Sequence, residues 1–266
     1  MSYINFKGKK IKIWDNKLDL SEKGITKISE IKELEDLINL KELNLSGNNI
    51  REIKGLESLI NLESLNLRYN QIIEITGLEN LTRLNQLFLY NNRISEIKGL
   101  DSLINLKELN LYENYVTEIT GLENLTKLNE LYIGSNRIVE IKGFENLTNL
   151  KYLNLEKNKI SEIKGLSNLK KLVLLALKWN QITEIKGLQK LRNLRRLELS
   201  YNKIKEIKGL EALKKLINID LKGNPVYESY LTIEKNTPVK KMVKFLVATD
   251  LVNYCTESSK NINNLK

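Results

Sequence analysis

The chain contains no histidine and a single cysteine, Cys255, in 266 residues. Without histidine there is no His-based triad, and the commonest general acid–base group and transition-metal ligand is missing. One cysteine permits no intrachain disulfide and supplies no ligand set for structural zinc. Proline is nearly absent, with two residues, and no run of eighteen or more apolar residues occurs, so no transmembrane helix is expected. The N-terminal Met1-Ser2-Tyr3-Ile4-Asn5-Phe6-Lys7-Gly8 lacks a basic start followed by an apolar core, and no export signal is expected there. Neither G-x-x-x-x-G-K-[ST] nor G-x-G-x-x-G is present, so nothing suggests a phosphate-cradling loop. No catalytic residue, metal site or cofactor is assigned, and the chain reads as a non-enzyme.

What is present is a repeat. Leucine opens a unit at Leu40, Leu62, Leu84, Leu106, Leu128, Leu150, Leu172, Leu194 and Leu216, always 22 residues apart. The ninth place is Asn in all nine units, from Asn48 to Asn224, and the sixteenth is Gly from Gly55 to Gly209. Leucines at places one, four and six, Ile at eleven and fourteen, and Leu at seventeen and twenty give each turn an inward set. No turn can bury that set alone, so stacked turns must supply the core. The inward Asn can satisfy backbone groups where the chain leaves a strand, and Gly supplies a φ > 0 turn on the far side.

This pattern, L-x-x-L-x-L-x-x-N-x-I, resembles the leucine-rich repeats over residues 15–226. The resemblance implies an α/β solenoid: a right-handed coil with a curved parallel β-sheet on the concave face. Twenty-two residues leave no room for a full helix on the convex face, so short 3₁₀ or extended segments are expected there. One degenerate unit, eight full units and one truncated unit are expected. Residues 1–14 read as an N-terminal β-hairpin cap. Residues 227–256 read as a C-terminal cap with a helix from about 238, which could instead bind a partner or dimerise, and residues 257–266 as a flexible tail. The Glu-Ile-Lys-Gly-Leu phrase is similar to the 22-residue class that includes the regulatory subunit of protein phosphatase one, the spliceosomal A-prime protein, an axonemal dynein light chain and the internalins. Internalins generally place Pro where this chain has Gly and are secreted, so the intracellular members fit better and a cytoplasmic location is expected. These relatives bind proteins, largely through the concave sheet.

Places three, five and seven of each strand face outward, and place eight lies at the rim. Place five is by default Asn, and the aromatic and apolar departures mark a candidate partner-binding face: Tyr69, Phe88, Tyr90, Tyr112, Tyr132, Tyr152, Leu174, Trp179 and Tyr201. Phe88, Tyr90, Tyr112 and Tyr132 are expected to form one contiguous patch. The plainer reading is that aromatics favour strands. Charge gives a second feature. Residues 170–216 hold thirteen Lys/Arg against four Glu, a net of +9 in a chain of net +10. Lys170, Lys171, Lys190, Arg192, Arg195, Arg196, Lys214 and Lys215 are expected to gather on one edge, as a solvated rim or a docking site for an acidic surface. Glu at place thirteen and Lys at place fifteen should form neutralising rows.

The sequence therefore reads as a monomeric protein-interaction scaffold, an adaptor or regulatory subunit with no membrane insertion, whose partner presents an acidic surface. The alternative is a binder of nucleic acid or another polyanion, with the basic edge neutralising phosphates and Trp179 or Tyr201 stacking.

Overall fold

The computed structural model describes residues 2–227, in two compact units that meet in sequence at Arg137 and Ile138. The helix expected from about 238 and the tail lie outside the described residues.

In the first unit, β1 (Ser2–Phe6) and β2 (Lys9–Ile13) pair antiparallel with Ile4 opposite Ile11. Lys7 and Gly8 join them with positive φ at both positions, 48° and 77°, the geometry that matches strand twist in a two-residue hairpin. Ile4, Phe6 and Ile13 are buried. Six parallel strands follow: β3 (Lys17–Asp19), β4 (Glu42–Asn44), β5 (Ser64–Asn66), β6 (Gln86–Phe88), β7 (Glu108–Asn110) and β8 (Glu130–Tyr132). The second unit holds four more in the same pattern: β9 (Tyr152–Asn154), β10 (Leu174–Ala176), β11 (Arg196–Glu198) and β12 (Asn218–Asp220).

Register follows the repeat. Leu43, Leu65, Leu87, Leu109 and Leu131 align on neighbouring strands of the first unit, as do Leu153, Leu175, Leu197 and Ile219 in the second. Each strand from β3 to β12 is three residues long with its central side chain inward. The exception to the 22-residue step is the first turn, where Leu18 pairs with Leu43 across 25 residues. Two 3₁₀ segments, Ile28–Glu30 and Leu34–Asp36, lie within it. In the other turns of the described residues the far side is not 3₁₀ helix but consecutive tight turns. There Leu59 N–H donates to Leu56 C=O at 3.0 Å and Leu62 N–H to Leu59 C=O at 2.9 Å. Leucines three apart therefore stay on one side, which is how places seventeen, twenty and one all reach the core.

The core is a stack of aliphatic side chains with almost no accessible surface, of which Leu65, Ile72, Ile75, Leu78, Leu81 and Leu84 make one turn. Each such side chain contributes about 1.5–3 kcal/mol when buried, but only because the turns above and below cover it. The place-nine asparagines act as predicted. Asn114 Nδ2 donates to Leu89 C=O (2.9 Å) and Leu111 C=O (3.2 Å), while its Oδ1 accepts from Ile94 N–H at 3.0 Å. Its equivalents Asn70, Asn92, Asn180 and Asn202 repeat the arrangement. The charged rows also form, and they link turns: Lys164 bridges Glu140 (2.8 Å) and Glu162 (3.8 Å), and Lys186 bridges Glu162 (3.1 Å) and Glu184 (3.7 Å). Among the described residues no helix is long and apolar enough to cross a membrane.

Candidate protein-binding face

The repeat places side chains 22 residues apart side by side, so the outward face of the strands is assembled from columns. In the first unit the place-seven column brings Tyr90 and Tyr112 together, with ring centroids 5.7 Å apart. Tyr69, from place eight of the preceding turn, meets Tyr90 edge to face at 4.9 Å. The row Tyr69–Tyr90–Tyr112 is thus continuous, with Tyr69 half exposed at 52% and the other two half-buried.

Of the expected patch of Phe88, Tyr90, Tyr112 and Tyr132, Tyr90 and Tyr112 meet ring to ring. On the place-five column Asn110 stands in register between Phe88 and Tyr132. Phe88 lies beneath the Arg68 guanidinium, 4.2 Å from its ring centroid, and Tyr132 donates its hydroxyl to Glu130 Oε2 at 2.6 Å. Sequence reasoning missed Tyr115, 44% exposed and covered by the Arg137 guanidinium at 4.5 Å. The signal was available, since Tyr115 and Arg137 share place ten of successive units.

The hydroxyl of Tyr90 is held well above the ordinary phenol range. The Tyr69 hydroxyl is the largest cause, followed by burial and by the Glu113 carboxylate. Carboxylates line the same face: Asp19, Glu22, Glu42, Glu108, Glu113 and Glu130 stand at places three, five and eight, against two cations, Lys17 and Arg68. The strand face of the first unit is therefore net −4 in a chain of net +10.

In the second unit Tyr152 is exposed, Leu174 half-buried and Ala176 buried. Trp179 and Tyr201 stack at 3.9 Å with 9° between their planes. Gly223 completes the column: a Cβ there would lie 2.6 Å from Tyr201 Cδ1, so glycine leaves the space that the tyrosine ring occupies. Place eight is left-handed backbone in every turn, with φ of 53° at Tyr69, 55° at Trp179 and 56° at Tyr201. Large side chains rarely adopt it. On the strands beside this column, buried Glu198 takes the usual place of Asn and is paired with Lys178 at 3.0 Å and with Arg196.

All eight residues of the basic group are exposed. Lys170, Arg192 and Lys214 occupy place twenty-one of three successive turns, and Lys171 and Lys215 donate to Asn149 Oδ1 (2.7 Å) and Asn193 Oδ1 (2.8 Å). Arg196 departs from the edge, turning onto the strand face toward Glu198. Place twenty-one precedes the strand and place eight follows it, so Trp179 and Tyr201 stand at the other end of the strands from the basic edge.

Comparison with known proteins agrees with this geometry. The leucine rich repeat family in its two-copy form matches residues 60–102, 104–147 and 126–168, and single leucine rich repeat families match 39–59 and 190–213. No curated protein is a significant match to the chain. Among solved structures, an internalin (inlF) of Listeria monocytogenes is 31% identical over 79% of this chain and 67% of its own, with a TM-score of 0.64. Internalin C2 of the same organism is 33% identical over 71% of this chain and 83% of its own, with a TM-score of 0.67. TLR13, solved as a complex with ssRNA13, is 26% identical over 79% of this chain and 36% of its own, with a TM-score of 0.60.

Proposed function

The chain belongs to the leucine-rich-repeat family, and we propose that it is a non-enzymatic adaptor or regulatory subunit that grips a partner protein on the outward face of its strands. The observation that carries this reading is the row Tyr69–Tyr90–Tyr112, flanked by Phe88 and Tyr132. A cluster of solvent-facing aromatic rings on a soluble protein marks an interaction site, and tyrosines are enriched among residues whose truncation costs ~2 kcal/mol or more of binding. The test is affinity capture from source-organism lysate with the wild type and with Phe88→Ala/Tyr90→Ala/Tyr112→Ala/Tyr132→Ala, the variant first shown to melt like the wild type. A protein held by the wild type and lost from the variant supports the reading. Equal capture by both sinks it.

The second reading is polyanion binding through the basic edge, favoured by the column Lys170, Arg192 and Lys214 and by the likeness to TLR13 in its ssRNA13 complex. A fluorescein-labelled 20-nucleotide RNA should then bind and weaken steeply between ~50 and 200 mM salt, and Lys170→Glu/Arg192→Glu/Lys214→Glu should abolish binding. An acidic partner surface would use the same edge. The chain is proposed to act as a monomer, which sedimentation checks. A cytoplasmic location finds no support in the internalin likeness, and fractionation of source cells decides it.

A further inference from the structure

The charge of the whole chain points to an acidic partner, but the strand face of the first unit has the opposite sign. Glu42 on this face is paired with Lys17 at 2.8 Å, but three other carboxylates there differ from those on the far side of the turns. On the far side of the turns, Glu74, Glu96, Glu140, Glu162 and Glu184 are each bridged by lysine. On the strand face, Glu108 Oε2 accepts from Gln86 Nε2 (2.9 Å), Glu113 Oε2 from Asn91 Nδ2 (2.8 Å) and Glu130 Oε2 from the Tyr132 hydroxyl (2.6 Å). These donors are neutral, and none of the three carboxylates has an ion-pair partner among the described residues. They orient the carboxylates and leave their charge uncompensated. Beside them stand the rings of Tyr90, Tyr112 and Tyr132, and aromatic faces attract guanidinium and ammonium groups. The same face already seats one guanidinium: Arg68 lies 4.2 Å from the centroid of Phe88.

Building on the proposed partner-binding role of this face, we propose that it docks a cationic segment of the partner, an arginine- or lysine-bearing strand or loop. Its basic side chains would lie between the Tyr90, Tyr112 and Tyr132 rings and pair with Glu108, Glu113 and Glu130. Two features of the face would then select together, since rings hold the planar or methylene part of each side chain and carboxylates its charge. The partner's selectivity is electrostatic at this face and independent of the basic edge at residues 170–215, which carries the chain's positive excess.

The test uses hexa-arginine and hexaglutamate peptides with the full chain at ~50 mM salt, read by backbone amide chemical shifts and by fluorescence anisotropy. Hexa-arginine should shift the amides of β6–β8 and the residues after them, despite the net positive charge of the protein, while hexaglutamate leaves them in place. Glu108→Gln/Glu113→Gln/Glu130→Gln keeps side-chain shape and should weaken hexa-arginine on the order of tenfold or more. Binding should also weaken as salt is raised to ~300 mM. The proposal is overturned if hexa-arginine moves no strand-face amide, or binds the triple variant as well as the wild type. It is equally overturned if the chain alone sediments as a dimer that the triple variant dissociates, because a second copy's basic turns would then be the occupant. A lysate partner lost with the aromatic variant but kept by the triple glutamine variant would overturn the cationic segment while leaving the partner-binding face intact.

Discussion

The Trp179 indole lies flat on the Tyr201 ring, 3.9 Å between centroids, and both residues hold left-handed backbone, φ 55° and 56°. The stack is worth about 0.5–1.5 kcal/mol, while left-handed backbone costs a bulky L-residue about 1–2 kcal/mol. For Trp179 alone the two effects nearly cancel, so its half-exposed ring adds little to the stability of the fold. Trp179→Asn, which puts a residue tolerant of that backbone in place, should change unfolding free energy by less than about 1 kcal/mol. Leu175→Ala, in the strand just before it, should cost about 2–5 kcal/mol. Urea denaturation of both variants checks this, and a large loss for Trp179→Asn would assign the stack a structural role.

The asparagine column should behave in the opposite way. Asn114→Ala leaves Ile94 N–H without a partner inside the stack, while Leu89 C=O and Leu111 C=O each lose one amide donor and keep another, from Asn92 and Asn136. The orphaned N–H costs about 1–3 kcal/mol and each lost carbonyl contact about 0.5–1.5 kcal/mol, which puts the loss at about 2–6 kcal/mol. Asn110→Ala, four residues away on the strand face, gives up only the contact of its Oδ1 with Tyr112 N–H and should cost no more than about 1 kcal/mol. Thermal melts of the pair would refute the assignment if their order were reversed.

The parts readable in advance are those that repeat. Leu65, Leu87 and Leu109, Asn92 and Asn114, and Gly77 and Gly99 each answer a backbone demand made once per turn, and such demands surface as a period. The strand face is written in the departures from the period, and there the pairing of neighbours decides. Arg68 could be placed on the face by its number, but not over Phe88 rather than beside a carboxylate. Arg196, grouped with the basic edge by sequence, turns onto the strand face because Glu198 lies two residues along the same strand. The net charge of the chain concealed the sign of the Glu108–Glu113–Glu130 face, since composition sums over surfaces that the solenoid separates. The 25-residue first turn was hidden for a different reason: Leu18 and Leu20 match the pattern, and only strand pairing reveals three extra residues before Leu43.

Glycine at place sixteen makes a sharper claim than positive φ alone. A Cβ on Gly99 would stand 2.2 Å from the Ile75 carbonyl oxygen of the preceding turn, so alanine there must push two turns apart. Gly24 has a similar φ, +64° against +72°, with nothing within 4 Å of a built Cβ. Gly24→Ala should therefore cost only the backbone strain of about 1–2 kcal/mol. Gly99→Ala should exceed it by at least about 2 kcal/mol, because turn stacking is disturbed as well. Equal losses in denaturant titrations would mean that the close approach is relieved cheaply and that φ alone selects glycine.

Tyr90 supplies a pH test of the aromatic row. Its hydroxyl is raised above the ordinary phenol range by Tyr69 foremost, then by burial and Glu113. In the unfolded chain the same phenol loses its proton near pH ~10. The folded state then binds the proton more tightly, so this contribution to stability is complete below pH ~10 and is lost as pH rises beyond it. Unfolding free energy measured in urea from pH ~9 to ~11.5 should fall for the wild type, and less steeply for Tyr90→Phe, which has no proton to lose. The lysines with raised values, Lys164 and Lys186 among them, slope the same way in both proteins and cancel in the comparison. The phenolate absorbance near 295 nm that is lost on Tyr90→Phe (a direct readout) should develop at higher pH in the folded chain than in the unfolded one. Identical alkaline slopes for wild type and Tyr90→Phe would show that Tyr69 and Glu113 do not hold that hydroxyl, and that the row is looser than its ring spacings imply.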